Sequence, residues 1–375
     1  MIDYPAITGL GLITILGDSP QATWDAIIHG SRRATDHTRL TLSAEYGSRV
    51  ATAGALAAQQ AVAQAGWSRD ALRDDRTALV VGTSKGEIED WISPPPAQSP
   101  IILPPTVGRL QPWGLGRIAH RIGAASGLGT GPAITLSAAC ASGLHALIRA
   151  CLMLRTGEAD RVLVVAAEAS VHPLFISSFQ RLGVLAPPGH GCRPFDETRA
   201  GFLMTEAAAA VCLERNSTAK PLAYVAAYAM GGDAAHLTSN DASGATLRRM
   251  LGQVIGDDSI DLIHAHGTGT VVNDPIELTA IDAILPPAGL AVPVVSHKAH
   301  LGHSLGAAGL VAVALNCLSH QLGLIPGNPQ TTRPIASDQC LIASKPSQQQ
   351  VRRSICLAAG FGGSIAAVKL TSRSR

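Results

Sequence analysis

Residues 133–144 constrain the fold of this chain more than any other stretch of its sequence. A short apolar run at 133–136 leads towards Cys140, which has only Ala, Ser and Gly as close neighbours. From 142 to 155 apolar side chains recur almost all round a predicted helix, and Gly157 is a natural end for it. A strand, a cysteine and a buried helix in this order are typical of a nucleophile elbow. The positive end of the helix dipole predicts a thiolate at Cys140; the alternative is a core cysteine that acts as a small hydrophobic residue.

Strand and helix patterns alternate along the whole chain. The predicted strands cover residues 6–12, 77–82, 133–136, 161–167, 207–213, 221–230, 260–266, 292–296, 354–359 and 365–370. The predicted helices cover residues 20–28, 51–65, 114–123, 142–155, 242–255, 275–284 and 306–321. This alternation predicts an α/β protein whose mostly parallel sheets are covered by helices. The segments 86–111 and 168–196 are predicted to be rich in loops, the first because of its many prolines.

The charged and polar segment 214–220 is the best candidate for a linker, because the strand pattern restarts after it. It divides the chain into an N-terminal half, 1–216, and a C-terminal half, 217–375. Each half contains a strand that runs into a turn of small residues, at 139–143 and at 359–363. These similar turns suggest that the two halves are related by internal duplication.

Composition and charge argue against several classes of function. The 375 residues are 46% hydrophobic, which is ample for a large core, and the formal net charge of +2 gives no sign of nucleic-acid binding. The sequence contains no run of 18 uninterrupted apolar residues, so we expect no membrane-spanning helix. Seven cysteines without a CxxC pair, and an N-terminus that does not read as a signal peptide, predict a reduced, cytoplasmic environment.

Two segments of the C-terminal half place histidines beside glycines at predicted strand ends. The first, 264–270, reads His-Ala-His-Gly-Thr-Gly-Thr, and the second, 296–309, begins Ser-His-Lys-Ala-His-Leu-Gly-His. Sites in α/β proteins usually lie at the carboxyl ends of strands, and glycines let a ligand approach the backbone. A single histidine would more often be a hydrogen-bonded structural group. Two glycine-framed histidines, a lysine and an elbow cysteine together favour catalysis.

Metal binding and dinucleotide binding are alternative interpretations of these motifs. The candidate metal ligands are His264, His266, His297, His300 and His303. No Asp or Glu lies at a ligand-like spacing among them, and the HxxxH and HExxH patterns are absent, so we expect no metal site. Gly9-x-Gly11 could begin a dinucleotide fingerprint, but the third glycine and the distal acid are not in place.

Taken together, the motifs resemble those of the β-ketoacyl-acyl carrier protein synthases, the elongating condensing enzymes of the thiolase-like superfamily. The matching residues occur in the family's order over most of the chain, at 139–144, 193–196, 266–270 with Asp274 and Glu277, Lys298, 302–303, 306–309 and 360–363. The resemblance implies a thiolase-like, five-layered αβαβα fold built from two related halves, usually as a homodimer. A heterodimer with another ketosynthase-like chain is the alternative assembly.

The resemblance also implies a reaction, a decarboxylative Claisen condensation. Cys140 would accept an acyl chain from a carrier thioester, and His266 and His303 would hold the malonyl thioester while CO2 leaves and an enolate forms. The carbanion would attack the acyl group on Cys140, giving β-ketoacyl-acyl carrier protein in a fatty acid, polyene or polyketide pathway. Lys298 would orient the site, paired with Glu277. Substrates would arrive on the phosphopantetheine arm of acyl carrier protein, without a further cofactor.

Other residues have supporting roles in the resemblance. The backbone N–H groups of Cys140 and Phe361 would form the oxyanion hole, and Phe361 would also gate the acyl pocket. Asp274, like Glu277, would support the site. The residues implied to contact the substrate or its pantetheine arm are Thr268, Thr270, Phe361, Gly362 and Phe202.

Differences from related families narrow the interpretation. A thiolase would carry a second cysteine where 360–362 reads Gly-Phe-Gly, and an initiating synthase would have Asn where this chain has His303. The chain departs from the elongating pattern at 199–207, at Ser364 and in a short segment at 33–50. These departures indicate a specialised synthase. They also leave open a second function, that of a non-catalytic or chain-length-determining partner subunit of a heterodimeric ketosynthase.

Overall fold

The computed structural model describes residues 4–30, 33–42, 45–92, 114–215, 220–238, 241–286 and 290–373. Most of the proline-rich loop predicted at 86–111 lies outside these residues, and so does most of the linker predicted at 214–220. The described start of the proline-rich segment contains a short helix, Ile88–Ile92.

Helices and strands alternate through the described residues, as the sequence predicts. The strands are β1 Ala6–Thr14, β2 Thr77–Gly82, β3 Ala133–Leu136, β4 Arg161–Glu168, β5 Ala207–Glu214, β6 Ala223–Gly232, β7 Leu262–His264, β8 Val292–Val295, β9 Leu324–Ile325, β10 Cys340–Leu341, β11 Ser347–Gln348, β12 Arg353–Ala359 and β13 Ser364–Thr371. The helices are α1 Pro20–His29, α2 Arg49–Ala65, α3 Arg69–Arg73, α4 Ile88–Ile92, α5 Gly116–Ala125, α6 Ser142–Thr156, α7 Pro173–Arg181, α8 Ala245–Ile255, α9 Asn273–Asp282, α10 Lys298–Leu301 and α11 Ala308–Leu322.

Eleven strands form one sheet in the order β10-β8-β7-β12-β13-β6-β1-β5-β4-β2-β3. Within it, β1-β5-β4-β2-β3 and β6-β13-β12-β7-β8 are two five-stranded units with the same topology. In each unit the two inner pairings are antiparallel and the two outer pairings are parallel. The units meet through two residue pairs of β1 and β6, Ala6 with Tyr224 and Ile7 with Ala223. The repeated topology confirms that the fold is built from two related halves.

The prediction of mostly parallel sheets is wrong for the inner strands. The four residues 360–363 connect β12 to β13, and so short a connection joins antiparallel strands, whereas parallel strands need a long crossover. The pairing of β4 with β5 repeats this arrangement in the first half. The parallel arrangement holds for the outer strands, and Cys140, His266 and Lys298 follow the carboxyl ends of β3, β7 and β8.

Although the two units are joined at β1 and β6, two helices pack between their facing sides, and other helices cover their outer faces. α6 and α11 pack between the units, in a core cluster that contains residues of both halves. α2 and α5 cover the first unit, and α8 and α9 cover the second. The result is the five-layered αβαβα arrangement of a thiolase-like fold.

One helical segment of the described residues, Leu305–Leu322, is long and apolar enough to cross a membrane by length and composition. However, 89% of it is buried inside the protein. It is therefore the core helix α11 with the 3-10 turn Leu305–Ala307 that precedes it.

The segment 168–196, predicted to be rich in loops, contains the helix α7. Pro173 occupies the first turn of that helix, and the His172 side chain accepts the N–H of Leu174 as an N-cap. Proline at the first helical position is a known start signal. The sequence analysis missed this helix because the many glycines and prolines of 168–196 indicated a loop.

Candidate active site

The turn that carries Cys140 is strained and closely packed. Ala139 has a φ of 49°, a left-handed conformation that non-glycine residues rarely adopt. The Ser142 hydroxyl donates to the Ala139 carbonyl at 2.6 Å and accepts the Ala138 N–H at 2.9 Å, which fixes the turn. The helix α6 begins at Ser142, so the predicted nucleophile elbow is present.

Burial dominates the electrostatics of the Cys140 thiol. It raises the pKa of Cys140 to about 11, whereas the charges of Lys85 and Lys298 act to lower that pKa and Glu168 acts to raise it. The prediction of a thiolate at the helix N-terminus is therefore wrong for the resting protein. Desolvation of the thiol outweighs the opposing charges of the two lysines.

His266 and His303 lie side by side near the thiol. Their ring centroids are 5.5 Å apart with the planes at 80°. The His303 and Phe202 rings form a second edge-to-face contact, with centroids 4.9 Å apart. Burial, followed by the charge of Lys298, lowers the pKa of both histidines well below the ordinary value. Both imidazoles are therefore neutral near pH 7, and each can donate one N–H to a developing oxyanion.

Two buried carboxylates hold the loop that follows His266. Glu277 accepts the backbone N–H groups of His266 and Gly267 at 2.5 and 2.7 Å. Asp274 accepts those of Thr268 and Gly269 at 3.1 Å. Burial raises the pKa of Asp274, and that of Glu277 to about 7. The loop is thus held in place by hydrogen bonds to side chains of α9.

Lys298 lies beneath this loop, and its side chain is almost fully buried. Its Nζ donates a hydrogen bond to the backbone carbonyl of His266. Within the described residues no salt bridge joins Lys298 to Glu277, but the charge of Glu277 acts to raise the pKa of Lys298, so the expected pairing is electrostatic and not a direct contact. The physical reason is that Glu277 is already occupied by the His266 loop and by the amide of Asn273. Burial lowers the pKa of Lys298, and the charge of Glu277 opposes that shift.

A cavity of about 240 Å³ brings the predicted residues together. The site residues among its lining are Cys140, His266, His303, Thr268, Thr270, Phe202, Phe361 and Gly362. Thr268 and Thr270 face each other there, with their hydroxyl oxygens 2.9 Å apart. Three predicted residues are not part of the lining: Lys298, Asp274 and Glu277. They hold the His266 loop by hydrogen bonds from the side away from the cavity.

Two residues of this lining, Cys140 from the N-terminal half and Phe361 from the C-terminal half, have backbone N–H groups to consider. Among the described residues, no backbone carbonyl or side-chain oxygen accepts the N–H of Cys140 or of Phe361. Gly360 packs directly against the cysteine turn, since a Cβ added there would lie 3.0 Å from the backbone nitrogen of Cys140. Both N–H groups are thus available as hydrogen-bond donors in the cavity that holds the thiol.

Sequence reasoning missed three residues around the thiol: Lys85, Glu168 and Phe179. The Lys85 ammonium lies 5.3 and 5.9 Å from the ring centroids of Phe175 and Phe179. Glu168 is fully buried, and its Oε2 accepts the N–H groups of Ser84 and Gly306. Lys85 and Glu168 lie at or just after the carboxyl ends of β2 and β4, and that position was the available signal.

No group of three or more His, Cys, Asp or Glu residues is arranged to hold a metal ion in the portion of the chain that the structure describes. The five histidines instead divide into two sets. His266 and His303 line the cavity. The other three, His264, His297 and His300, are buried and form hydrogen bonds with other groups of the protein.

Comparison with known proteins agrees with this geometry. Residues 44–219 match the family model of the β-ketoacyl synthase N-terminal domain, and residues 222–332 match that of the β-ketoacyl synthase C-terminal domain. The two matches cover more than half of the chain. The chain belongs to the β-ketoacyl synthase family.

Relatives of this ketosynthase chain come from both fatty acid and polyketide synthesis. It is 27% identical to 3-oxoacyl-[acyl-carrier-protein] synthase 2 of Rhizobium meliloti over 97% of each chain. It is 31% identical to the oxytetracycline polyketide putative β-ketoacyl synthase 1 of Streptomyces rimosus over 65% of this chain. That match spans only 61% of the Streptomyces protein's length.

Solved ketosynthase structures share the fold. The ishigamide ketosynthase/chain length factor has a TM-score of 0.84 and 25% identity, and the match covers all of both chains. A type II polyketide synthase acyl-carrier protein in complex with its ketosynthase, AntDE:AntF, contains a chain with a TM-score of 0.84 and 22% identity. That match covers 99% of this chain and 100% of the other.

Proposed function

We propose that this chain catalyses the condensation of an acyl group with malonyl-acyl carrier protein, releasing CO2. The observation that carries the proposal is that Cys140 and the neutral imidazoles of His266 and His303 line one cavity. In the first step, the Cys140 sulfur attacks the carbonyl of an acyl-carrier thioester. The pantetheine sulfur of the carrier leaves as a thiol, taking up the proton that Cys140 loses, and the acyl group remains on Cys140.

In the second step, the bond between C2 and the carboxylate of the malonyl group breaks. CO2 departs, and the electron pair moves onto the thioester carbonyl, where N–H groups of His266 and His303 stabilise the enolate. Burial, together with the charge of Lys298, keeps both rings neutral, and each neutral ring has one N–H to donate to the enolate oxygen. Lys298 does not contact the substrate. It positions His266 by a hydrogen bond to its backbone carbonyl.

In the third step, C2 of the enolate attacks the acyl-Cys140 carbonyl. The tetrahedral oxyanion accepts hydrogen bonds from the backbone N–H groups of Cys140 and Phe361. It then collapses and expels the Cys140 thiolate. The product is β-ketoacyl-acyl carrier protein. Thr268 and Thr270 hydrogen-bond the pantetheine arm, and Phe202, Phe361 and Gly362 contact the substrate in the cavity.

We also propose the partners and setting of the reaction. The substrates arrive on acyl carrier protein, with no further cofactor. The chain forms a homodimer, with a heterodimer as the alternative, and β3 supports this because it is a sheet edge with Ala133 exposed. The halves divide at 1–216 and 217–375. Seven free cysteines support a cytoplasmic location.

The test is turnover of the purified protein with acyl- and malonyl-carrier substrates. Cys140→Ala should abolish condensation while leaving the fold intact, as judged by circular dichroism. Cys140→Gln should still release CO2 from malonyl carrier, because both histidines remain. If the Cys140→Gln variant releases no CO2, the enolate roles of His266 and His303 are wrong. Wild-type protein that neither condenses nor accepts an acyl group on Cys140 would favour the non-catalytic partner subunit.

A further inference from the structure

Two buried histidines, His264 and His297, lie behind the cavity and have no part in the steps above. His264 Nδ1 is 2.9 Å from Asn316 Oδ1, and His264 Nε2 is 2.9 Å from His297 Nδ1. The exposed fractions of His264, His297 and Asn316 are 1%, 3% and 1%. Three polar side chains therefore form a chain of hydrogen bonds in the interior, from the core helix α11 to the segment that carries Lys298.

The hydrogen-bond partners determine which ring nitrogens carry protons. Asn316 donates through Nδ2 to the Ile355 carbonyl, so its Oδ1 faces His264 and accepts from His264 Nδ1–H. Burial lowers the pKa of His264 to about 3, so its Nε2 is unprotonated near pH 7 and accepts. Both the backbone N–H and the Nδ1–H of His297 donate to that nitrogen. His297 therefore has its proton on Nδ1, and its Nε2 is an acceptor.

The segment that contains His297 is attached to the His266 loop on both sides. Ser296 Oγ donates to the Gly267 carbonyl at 2.7 Å, and Lys298 Nζ donates to the His266 carbonyl. His297 lies between these two donors in sequence, and its ring is bonded to β7, which leads directly into His266. The ring pair thus connects the Lys298 segment to the strand that leads into the His266 loop.

The surroundings of His297 require an uncharged ring. Burial lowers the pKa of His297 well below its ordinary value, and the nearby groups Lys298, His303 and His266 act in the same direction. A second proton on His297 would place a positive charge beside the Lys298 ammonium. The buried Nε2 of His297 has no hydrogen-bond donor among the described residues. With the ring proton on Nδ1, this nitrogen carries a lone pair.

We propose that His264 and His297 are positioning residues for decarboxylation, which hold Lys298 and the His266 loop in register without touching the substrate. The inference rests on the proposed condensation. It assigns to the pair a role that a generic buried residue would not have, because the required feature is one donor at His297 Nδ1 and one acceptor at His264 Nε2. A side chain at position 297 that keeps the donor should preserve decarboxylation, whereas an apolar side chain of similar size should not.

The experiment compares three variants of the full chain. His297→Leu removes the donor, His297→Asn keeps an amide donor near the position of Nδ1, and His320→Gln is the matched control. His320 is also a buried histidine, and its Nε2 lies 2.8 Å from Ser354 Oγ, one turn of α11 beyond Asn316. CO2 release from malonyl carrier is measured in the Cys140→Gln background. Alkylation of the thiol by iodoacetamide is measured in the Cys140 background.

We expect His297→Leu to slow CO2 release by about 100-fold, the size of effect that a misplacement of roughly 1 Å can produce. His297→Asn should retain most of the rate, and His320→Gln should retain all of it. Cys140 alkylation should be the same in all variants, because the pair acts on the other half of the site. A general loss of structure would change alkylation and CO2 release together.

The outcomes separate the two proposals. CO2 release by His297→Leu at the parental rate would overturn the positioning role, and so would equal losses in His297→Asn and His297→Leu. Absence of CO2 release before any change at His297 would instead overturn the proposed function. The proton positions are tested in either case by nitrogen-15 spectra of histidine-labelled protein. Both His264 and His297 should be protonated at Nδ1, and a proton on His297 Nε2 would contradict the inference.

Discussion

Gly360→Ala offers a sharp test of the oxyanion hole because the added methyl group reaches the donor directly. The new Cβ would lie 2.8 Å from the Ala138 carbonyl oxygen and 3.0 Å from the Cys140 nitrogen, whereas ordinary van der Waals contact begins at about 3.4 Å. The cysteine turn must therefore move by several tenths of an ångström. Gly360 does not have a positive φ, so alanine introduces no backbone strain of its own.

The expected effect is a loss of about 100-fold in condensation, at the lower end of what removal of one oxyanion donor costs. Acyl transfer to Cys140, followed by intact mass, should slow in parallel because it passes through the same oxyanion. CO2 release in the Cys140→Gln background should not change, because His266 and His303 stabilise that charge. The assay thus distinguishes a displaced donor from a damaged site.

Gly252→Ala is the control for the glycine replacement itself. Gly252 lies within α8, and a Cβ there meets no atom within 4 Å. Activity should be unchanged, and the free energy of unfolding should rise by about 0.5–1 kcal/mol because alanine favours the helix. Condensation at the wild-type rate by a folded Gly360→Ala variant would refute the assignment of Cys140 N–H to the oxyanion hole.

Three further predictions follow from the same geometry. Alkylation of Cys140 by iodoacetamide should accelerate about tenfold per pH unit between about pH 7 and 10, because its pKa is raised to about 11; a plateau below pH 8 would show an activated thiolate. Thr270→Val should raise KM for carrier substrates about fivefold at unchanged kcat, the cost of one hydrogen bond; equal loss in kcat would assign Thr270 to the chemistry. Asp196→Asn should lower the free energy of unfolding at neutral pH by about 1–3 kcal/mol, because Asp196 Oδ2 accepts the N–H groups of Thr332 and Arg333.

The Asp196 prediction has a defined dependence on pH. Burial alone would raise the pKa of Asp196, but the N–H of Arg333 and donors from Thr198 and Thr332 outweigh it and lower that pKa to about 2. The carboxylate therefore stabilises the fold fully above the ordinary value of 3.8, and this contribution is lost as the pH falls towards 2. Urea denaturation of wild type and variant should converge over that range. A constant difference would show that the ionised form is not what matters.

The sequence predicted the elements around Cys140 well because local rules decide them. The helix α6 has the predicted start, and its end at Thr156 is one residue beyond the predicted one, because Gly157 adopts the left-handed conformation that ends it. The sequence also pointed to Cys140, His266 and His303 together, and all three line one cavity. Cys140 and His266 lie in turns just after the strands β3 and β7, where the sequence signal was strongest. The sequence could not predict the helix α7 or the antiparallel inner strands with the same certainty, because turn-rich segments carry weaker periodic signals.

What the sequence determined by itself was the set of chemical groups and the strand ends that carry them. Only the tertiary structure decided their protonation and their partners. Burial raises the pKa of Cys140 despite its place at a helix N-terminus, and it keeps His266 neutral. Lys298 bonds a backbone carbonyl rather than Glu277. These outcomes depend on desolvation and on distances between residues far apart in the chain, and no local pattern encodes either.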